Sequence, residues 1–567
     1  MYLTFTEKGG RKYASAATSS RDGDKTSIEY VYLGRVASED GPVFYARERG
    51  YFTFDLATGA FGPAPESFAP PKVADGRKRE ASAFDFGDAF LINEIMCRSG
   101  MWEVIDALPW ANKATLRAMT AYYVASSMPN RYADMWYAGS VAHLLFPGAN
   151  LESGAVSDLL ERLGSAEAQT AYHSAMIPFV LSSFSPDTNV MVDSTGMPNK
   201  CSIHLTRANV HNGRLSVEAR VIVVAQRSTG LPLFFKVVPG SVNDAMTLRP
   251  VMEHCRALGI DVSGCLIDAG YSTDINLDEF YDSGHRCAVD YITRPKSSAS
   301  YYKEALRVAA PALESGENFV DWQGRYAFVK RVEVMVGKGS DQPAYLYIGL
   351  DKNRESDELH KLLRRAKREG LSPASVYELM GSQGIFALLS GRPYEPSEIL
   401  AEYYVRQGIE QLNDVSKNYA KLLPARCHKW ETFEGHVVLS MAATAVARIV
   451  QMRLNELGLC LGPRLEALRQ QKVICYATRA VPDVPVKEAN EVYRAFGIDV
   501  PASIPMRDGR LAYENPRRID GYLRPAKRGR RPGKAKAAKD EKKPPPRRMG
   551  ARGEPLGILC LELIPPN

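Results

Sequence analysis

The chain has 567 residues, 45% of them hydrophobic and 24% charged, which is enough for three or four domains with ordinary packed cores. Its nine cysteines, at 97, 201, 255, 265, 287, 427, 460, 475 and 560, are scattered with no C-x2-C pair; they exclude a zinc finger and read as reduced, mostly buried thiols. The formal charge of +7 is concentrated in the tail, where residues 524–552 hold 13 Lys/Arg and two acids, 13 − 2 = +11, leaving 7 − 11 = −4 elsewhere. No apolar run of about 18 residues is read and MYLTFTEKGGRK lacks a signal-peptide core, so the expectation is a soluble cytoplasmic protein with no membrane partner, associated with the nucleoid if bacterial.

Residues 1–62 hold short alternating or aromatic runs such as IEYVYLGRV and GYFTFDL between Gly and Asp clusters, which predicts a small β-rich module. The proline-rich FGPAPESFAPPK opens a linker over 63–86. From 87 to 180 the apolar period becomes helical, as in AFLINEIMCRSGMWEVIDAL, and predicts a helical domain. A capped helix over 153–163 fits either a plain bundle or a helix-turn-helix reader of DNA.

A catalytic core is read over 186–293 and 391–457. TNVMVDSTG is a strand that delivers Asp193, VEARVIVVA and LPLFFKVV form a hairpin around RSTG, and a helix over 244–259 leads to GCLIDAGY, whose buried run delivers Asp268. A further helix and the strand CAVDYIT complete the order β-β-β-α-β-α-β, which is that of a ribonuclease-H-like fold: a mixed five-stranded sheet with flanking helices, α/β in class. The first and fourth strands are neighbours in that fold, so Asp193 and Asp268 are expected to face one another.

Residues 294–390 read as a mainly β insertion, from FVDWQGRYAFVKRVEVMV through the charged helix DELHKLLRRAKREG to GIFALLS. Gly337-Lys338 lacks the earlier glycine and the following Ser/Thr of a phosphate-binding loop, so no nucleotide cofactor is expected. One helix is then predicted over 399–419. At about 100° per residue it gathers Tyr403, Arg406, Glu410 and Lys417 on one wall, with Val405, Ile409, Leu412 and Tyr419 opposite. Arg406 and Glu410 would also suit a solvated ion-pair stripe. A long amphipathic helix follows at about 433–457, with His428 and His436 structural. A helical appendage over 458–515 and a basic disordered tail over 516–567 end the chain; the tail reads either as a solvated charge run or as a non-specific arm on DNA phosphates.

The pattern Tyr-x2-Arg-x3-Glu-x6-Lys, together with DSTG and DAGY, resembles the signature of DDE transposases of the insertion-sequence-four superfamily. The resemblance implies that Asp193, Asp268 and Glu410 bind two Mg²⁺ or Mn²⁺ ions and cleave DNA. It also implies that Tyr403, Arg406 and Lys417 grip the transposon end, and that Trp322 in the insertion stacks an extruded base, although a β-segment Trp also suits a core. Partners would be double-stranded DNA, as transposon ends and target, and a second copy of the chain in the DNA complex. The alternatives are a stand-alone ribonuclease-H-like nuclease, disfavoured by the cations of the pattern, and a catalytically idle transposase derivative, disfavoured by the intact acids.

Overall fold

The computed structural model describes residues 1–8, 11–23, 25–38, 42–46, 49–68, 81–198, 203–211, 214–322 and 324–523. The basic run 524–552 lies outside them. The chain divides into two compact units, Met1–Ser82 and Ala83–Asn567. The first is an antiparallel meander of six strands, Tyr2–Lys8, Arg11–Asp22, Lys25–Ser38, Val43–Ala46, Gly50–Phe54 and Phe61–Pro63, closed over a small core of Ala14, Ala16, Leu33, Phe44, Phe52 and Phe54.

Helices occupy most of Gly87–Ser183. The helix Ser153–Leu163 lies directly against Trp430–Glu456, since a Cβ on Gly164 would collide with the Glu431 carbonyl and one on Gly435 with that of Leu160. Two glycines thus let the backbones touch. Trp430–Glu456 is long and apolar enough to cross a membrane, a run that the sequence reading missed. It is buried instead in the core, from Phe433 through Val450.

The site is built on one large sheet. Its five central strands, leaving aside the short strand Arg207–His211, are β1 (Asn189–Pro198), β2 (Arg214–Gln226), β3 (Pro232–Pro239), β4 (Gly264–Ile267) and β5 (Asp290–Thr293). The lateral order is β3-β2-β1-β4-β5, with β2 antiparallel to β1 and β4 parallel to both β1 and β5. Val221 to Ala225 of β2 and Cys265 to Ile267 of β4 are buried without alternation, as expected of strands covered on both faces. The short strand Arg207–His211 pairs only with β2.

Five strands were expected, but the sheet continues to ten. Ile292 and Thr293 of β5 pair with Ser390 and Leu389 of the strand Ile385–Ser390, and Gln342–Asp351, Arg325–Val336 and Phe319–Trp322 follow in turn. The strands of 294–390 therefore extend the central sheet. The last part of the linker reading also changes, because Ala81–Asp85 is an edge strand of a separate five-stranded sheet. That sheet is completed by Lys472–Tyr476, Arg479–Pro482, Ile504–Arg507 and Arg510–Leu511, so residues 458–515 are mixed and not helical.

The predicted helix over 399–419 is two helices, α1 (Pro396–Tyr404) and α2 (Gln407–Tyr419), followed by α3 (Trp430–Glu456). Val405 and Arg406 keep right-handed angles through the break, so the side-chain phase nearly persists while the backbone hydrogen bonds tighten to i→i−3, as from Arg406 to Tyr403 and from Gly408 to Val405. Val405, expected on the apolar side, is 38% exposed. Ile409, Leu412 and Val415 are buried and seat α2 on the sheet, where Gly408 approaches Met191 of β1.

Candidate active site

Register places the two aspartates. Val192 of β1 is level with Ile267 of β4 in a parallel pair, so Asp193 and Asp268 are the next residues on adjacent strands, about 4.8 Å apart laterally. Glu410 stands in the first turn of α2 above them. Arg406 joins the elements: its Nη1 donates to Glu410 Oε1 at 2.8 Å and its Nη2 lies 3.3 Å from Asp268 Oδ2. One turn along α2, Asn413 Nδ2 donates to Asp193 Oδ2 at 3.1 Å, while the Ser194 amide donates to Asp193 Oδ1 at 2.9 Å.

The electrostatics follow from crowding in a half-enclosed place. Burial pushes Asp193 up to about 6, with Asp268 and Asp244 adding repulsion and Arg406 opposing it. Burial works against the charged form of Arg406 too, but Asp268, Tyr403, Asp193 and Glu410 together raise it above the ordinary arginine value. Lys417 is lowered by burial and partly restored by Asp193, Glu218 and Asp414. The field here is acidic, and Arg406 and Lys417 answer it.

Tyr403 is buried, the Arg294 guanidinium lies 5.4 Å from its ring centre, and its hydroxyl has no hydrogen-bond partner among the described residues. Burial raises that hydroxyl above the usual tyrosine range. Trp322 reaches the same neighbourhood from the far edge of the sheet and stacks on Tyr404, ring centres 4.3 Å apart and planes 20° from parallel. One face of Trp322 is therefore covered by the chain itself.

Among the described residues, no group of three or more His, Cys, Asp or Glu is arranged to hold a metal ion. The expected shared shell of Asp193, Asp268 and Glu410 is divided because Arg406 bonds two of the three acids and Asn413 the third. The donor chemistry nonetheless suits a hard divalent cation. All three are carboxylates, and Asp193 is held in a setting that a nearby cation would relieve.

Two contributors were missed. Asn413 is a neutral amide at i+3 from Glu410, and only that spacing hinted that it shares the wall. The other is the turn at Asp244, whose carboxylate accepts from Ser194 Oγ at 2.6 Å and pairs with Arg220 at 2.9 Å. Asp244 thus braces the strand residue after Asp193, and it lies beside Gly270 in the loop after Asp268.

Residues 185–446 match the family model described as the transposase DDE domain, a span that contains Asp193, Asp268 and Glu410. No curated protein matches the chain. Among solved structures the chain is similar to the piggyBac transposase in its synaptic complex with hairpin DNA, at 10% identity and a TM-score of 0.38, covering 68% of this chain and 79% of that one.

Proposed function

We propose that the chain is the transposase of an insertion sequence of the insertion-sequence-four superfamily, acting through a ribonuclease-H-like core. On this reading it binds terminal inverted repeats and performs metal-dependent DNA cleavage and strand transfer. The observation that carries the reading is the convergence of Asp193 from the middle of β1, Asp268 from the end of β4 and Glu410 from one helix, within the region that matches the transposase domain. The lateral strand order supports the fold assignment, with β1 between β2 and β4.

Asp193, Asp268 and Glu410 would hold Mg²⁺ or Mn²⁺; such ions supply activation of water or a 3′-hydroxyl and stabilisation of the leaving oxygen. The remaining work belongs to the chain. Arg406 and Lys417 hold phosphate oxygens of the DNA end, Arg406 with a planar fork suited to two of them. Asn413 and the Asp244 brace keep Asp193 aimed. Trp322 would stack on an extruded base after parting from Tyr404. A homodimer on paired ends fits the need to join two ends to one target.

The test is a strand-transfer assay with the inverted repeats that flank the gene. The reading expects wild-type protein to join its own ends to a target plasmid only when Mg²⁺ or Mn²⁺ is present. Cleavage without preference for those ends would favour the nuclease alternative.

The basic run gives a separate expectation. Deleting 524–552 should weaken binding to all DNA sequences alike and flatten the dependence of log affinity on log salt, because the lost contacts are to phosphate. Measuring affinity across a salt series checks this, and an unchanged slope would make the run a bystander.

A further inference from the structure

Away from the acids, a cavity of about 520 Å³ opens between the segment 127–131, the helix Ser153–Leu163, the loop that joins α2 to α3, and Thr432 and His436 in the first turns of α3. That volume is within the range of small-molecule sites, ~300–1,000 Å³. Three basic residues, Arg131, Lys421 and Arg426, line it together with serine and threonine hydroxyls, and no lining residue is acidic. Val156, Leu160 and Leu423 give it an apolar wall.

Lys421 is the informative residue. Its Nζ lies 3.1 Å from the Tyr122 ring centre and donates to the Met128 carbonyl at 2.7 Å, and its backbone is held at φ +55°. Among the described residues neither Lys421 nor Arg131 nor Arg426 is ion-paired. Burial, and then Arg469, push Lys421 down to about 6. Beside two further cations and no acid, the charged form of Lys421 is disfavoured in the free protein. An anion in the cavity would reverse that.

We propose that this cavity is a nucleotide site, with the phosphate on Lys421, Arg426 and Arg131 and the sugar or base against Val156, Leu160 and Leu423. The phosphate assignment rests on the cations and hydroxyls, the nucleotide on the apolar wall and the volume. That the nucleotide belongs to a DNA strand rests on the transposase reading, since Lys421 follows by two residues the end of the helix that carries Glu410 and Lys417.

The test uses the full chain with 2′-deoxythymidine 5′-monophosphate, thymidine and inorganic phosphate, by calorimetry and thermal melts, on wild type, Lys421→Met and Arg426→Ala. The monophosphate should bind wild type better than thymidine or phosphate alone, and each variant should weaken it by about tenfold or more. Lys421→Met loses the bond to the Met128 carbonyl and the Tyr122 ring contact, so the thermal melt serves to show that the variant is folded. No monophosphate binding to wild type, or equal binding by both variants, would overturn the site; Arg426 is exposed, so Arg426→Ala decides if Lys421→Met does not fold. Reduced affinity of both variants for a DNA end, with a shallower salt slope, supports DNA as the source. Unchanged DNA affinity would overturn the DNA source. Neither result depends on cleavage, so failure of the acid centre and failure of this site are distinguishable.

Discussion

Asp193→Asn, Asp268→Asn and Glu410→Gln are each expected to reduce metal-dependent cleavage of a DNA end by roughly a thousandfold or more, equivalent to about 4 kcal/mol of transition-state stabilisation. Each substitution removes an ionised oxygen ligand and almost no volume, so DNA binding and the fold should persist. Asp193→Asn carries a second expectation. Its carboxyl titrates near 6 in the folded chain, above the ordinary 3.8, chiefly because it is buried. A raised carboxylate favours the folded state while protonated, and that contribution is lost as pH climbs from about 4 through about 6. The full loss is at most ~3 kcal/mol, a figure that already contains the opposing Arg406 charge and Ser194 bond. Asp193→Asn should therefore flatten the fall in melting temperature across that window and melt no lower than wild type at pH 7.5. A thermal-melt series from pH 4 to pH 7.5, run beside cleavage assays, checks both. Near-wild-type cleavage in any of the three variants would remove that acid from the centre.

Arg406→Ala should lower cleavage by roughly a hundredfold while raising the response to divalent ions. The guanidinium bonds both Asp268 and Glu410, which are 41% and 42% exposed at their side chains, so losing it costs at most about 1 kcal/mol of stability after solvent screening. The acids would then repel one another, and added Mn²⁺ should recover the melting temperature by more than it does in wild type. Cleavage falls for a different reason, the mispositioned phosphate of the DNA end. Lys417→Ala should also slow cleavage, with less effect on the ion response because Asp193 alone of the three acids acts on it, whereas Arg406 bonds two of them. Wild-type cleavage by Arg406→Ala with a lowered melting point would make Arg406 a charge balancer only.

The placement of Asp193, Asp268 and Glu410 together was legible because each is marked locally. Asp193 and Asp268 follow short apolar runs that read as buried strands, although a turn aspartate and a helix cap fitted each alone, and Glu410 shares a helical face with Arg406. Their neighbourhood was less so. The break at Val405 and Arg406 keeps right-handed backbone angles, so side-chain periodicity runs on almost undisturbed and carries no sign of it. The Arg406 and Asn413 bonds to acids on other elements depend on where α2 sits over the sheet, which no spacing within the helix encodes. The alternation in 319–351 announced strands but not their partners, and two residue pairs between β5 and Ile385–Ser390 make them one sheet. In 458–515 the run KVICY alternates exposed and buried residues along Lys472–Tyr476, a period-2 signal outweighed by the longer helices around it.

The account rests on Asp193, Asp268 and Glu410 forming one cation-binding centre, and the direct measurement is calorimetric titration of Mn²⁺ into the protein on a DNA end, for wild type and the three isosteric variants. The account predicts saturable binding by wild type that is weakened at least tenfold in every variant. Wild-type Mn²⁺ affinity in all three, with DNA still bound, would contradict it.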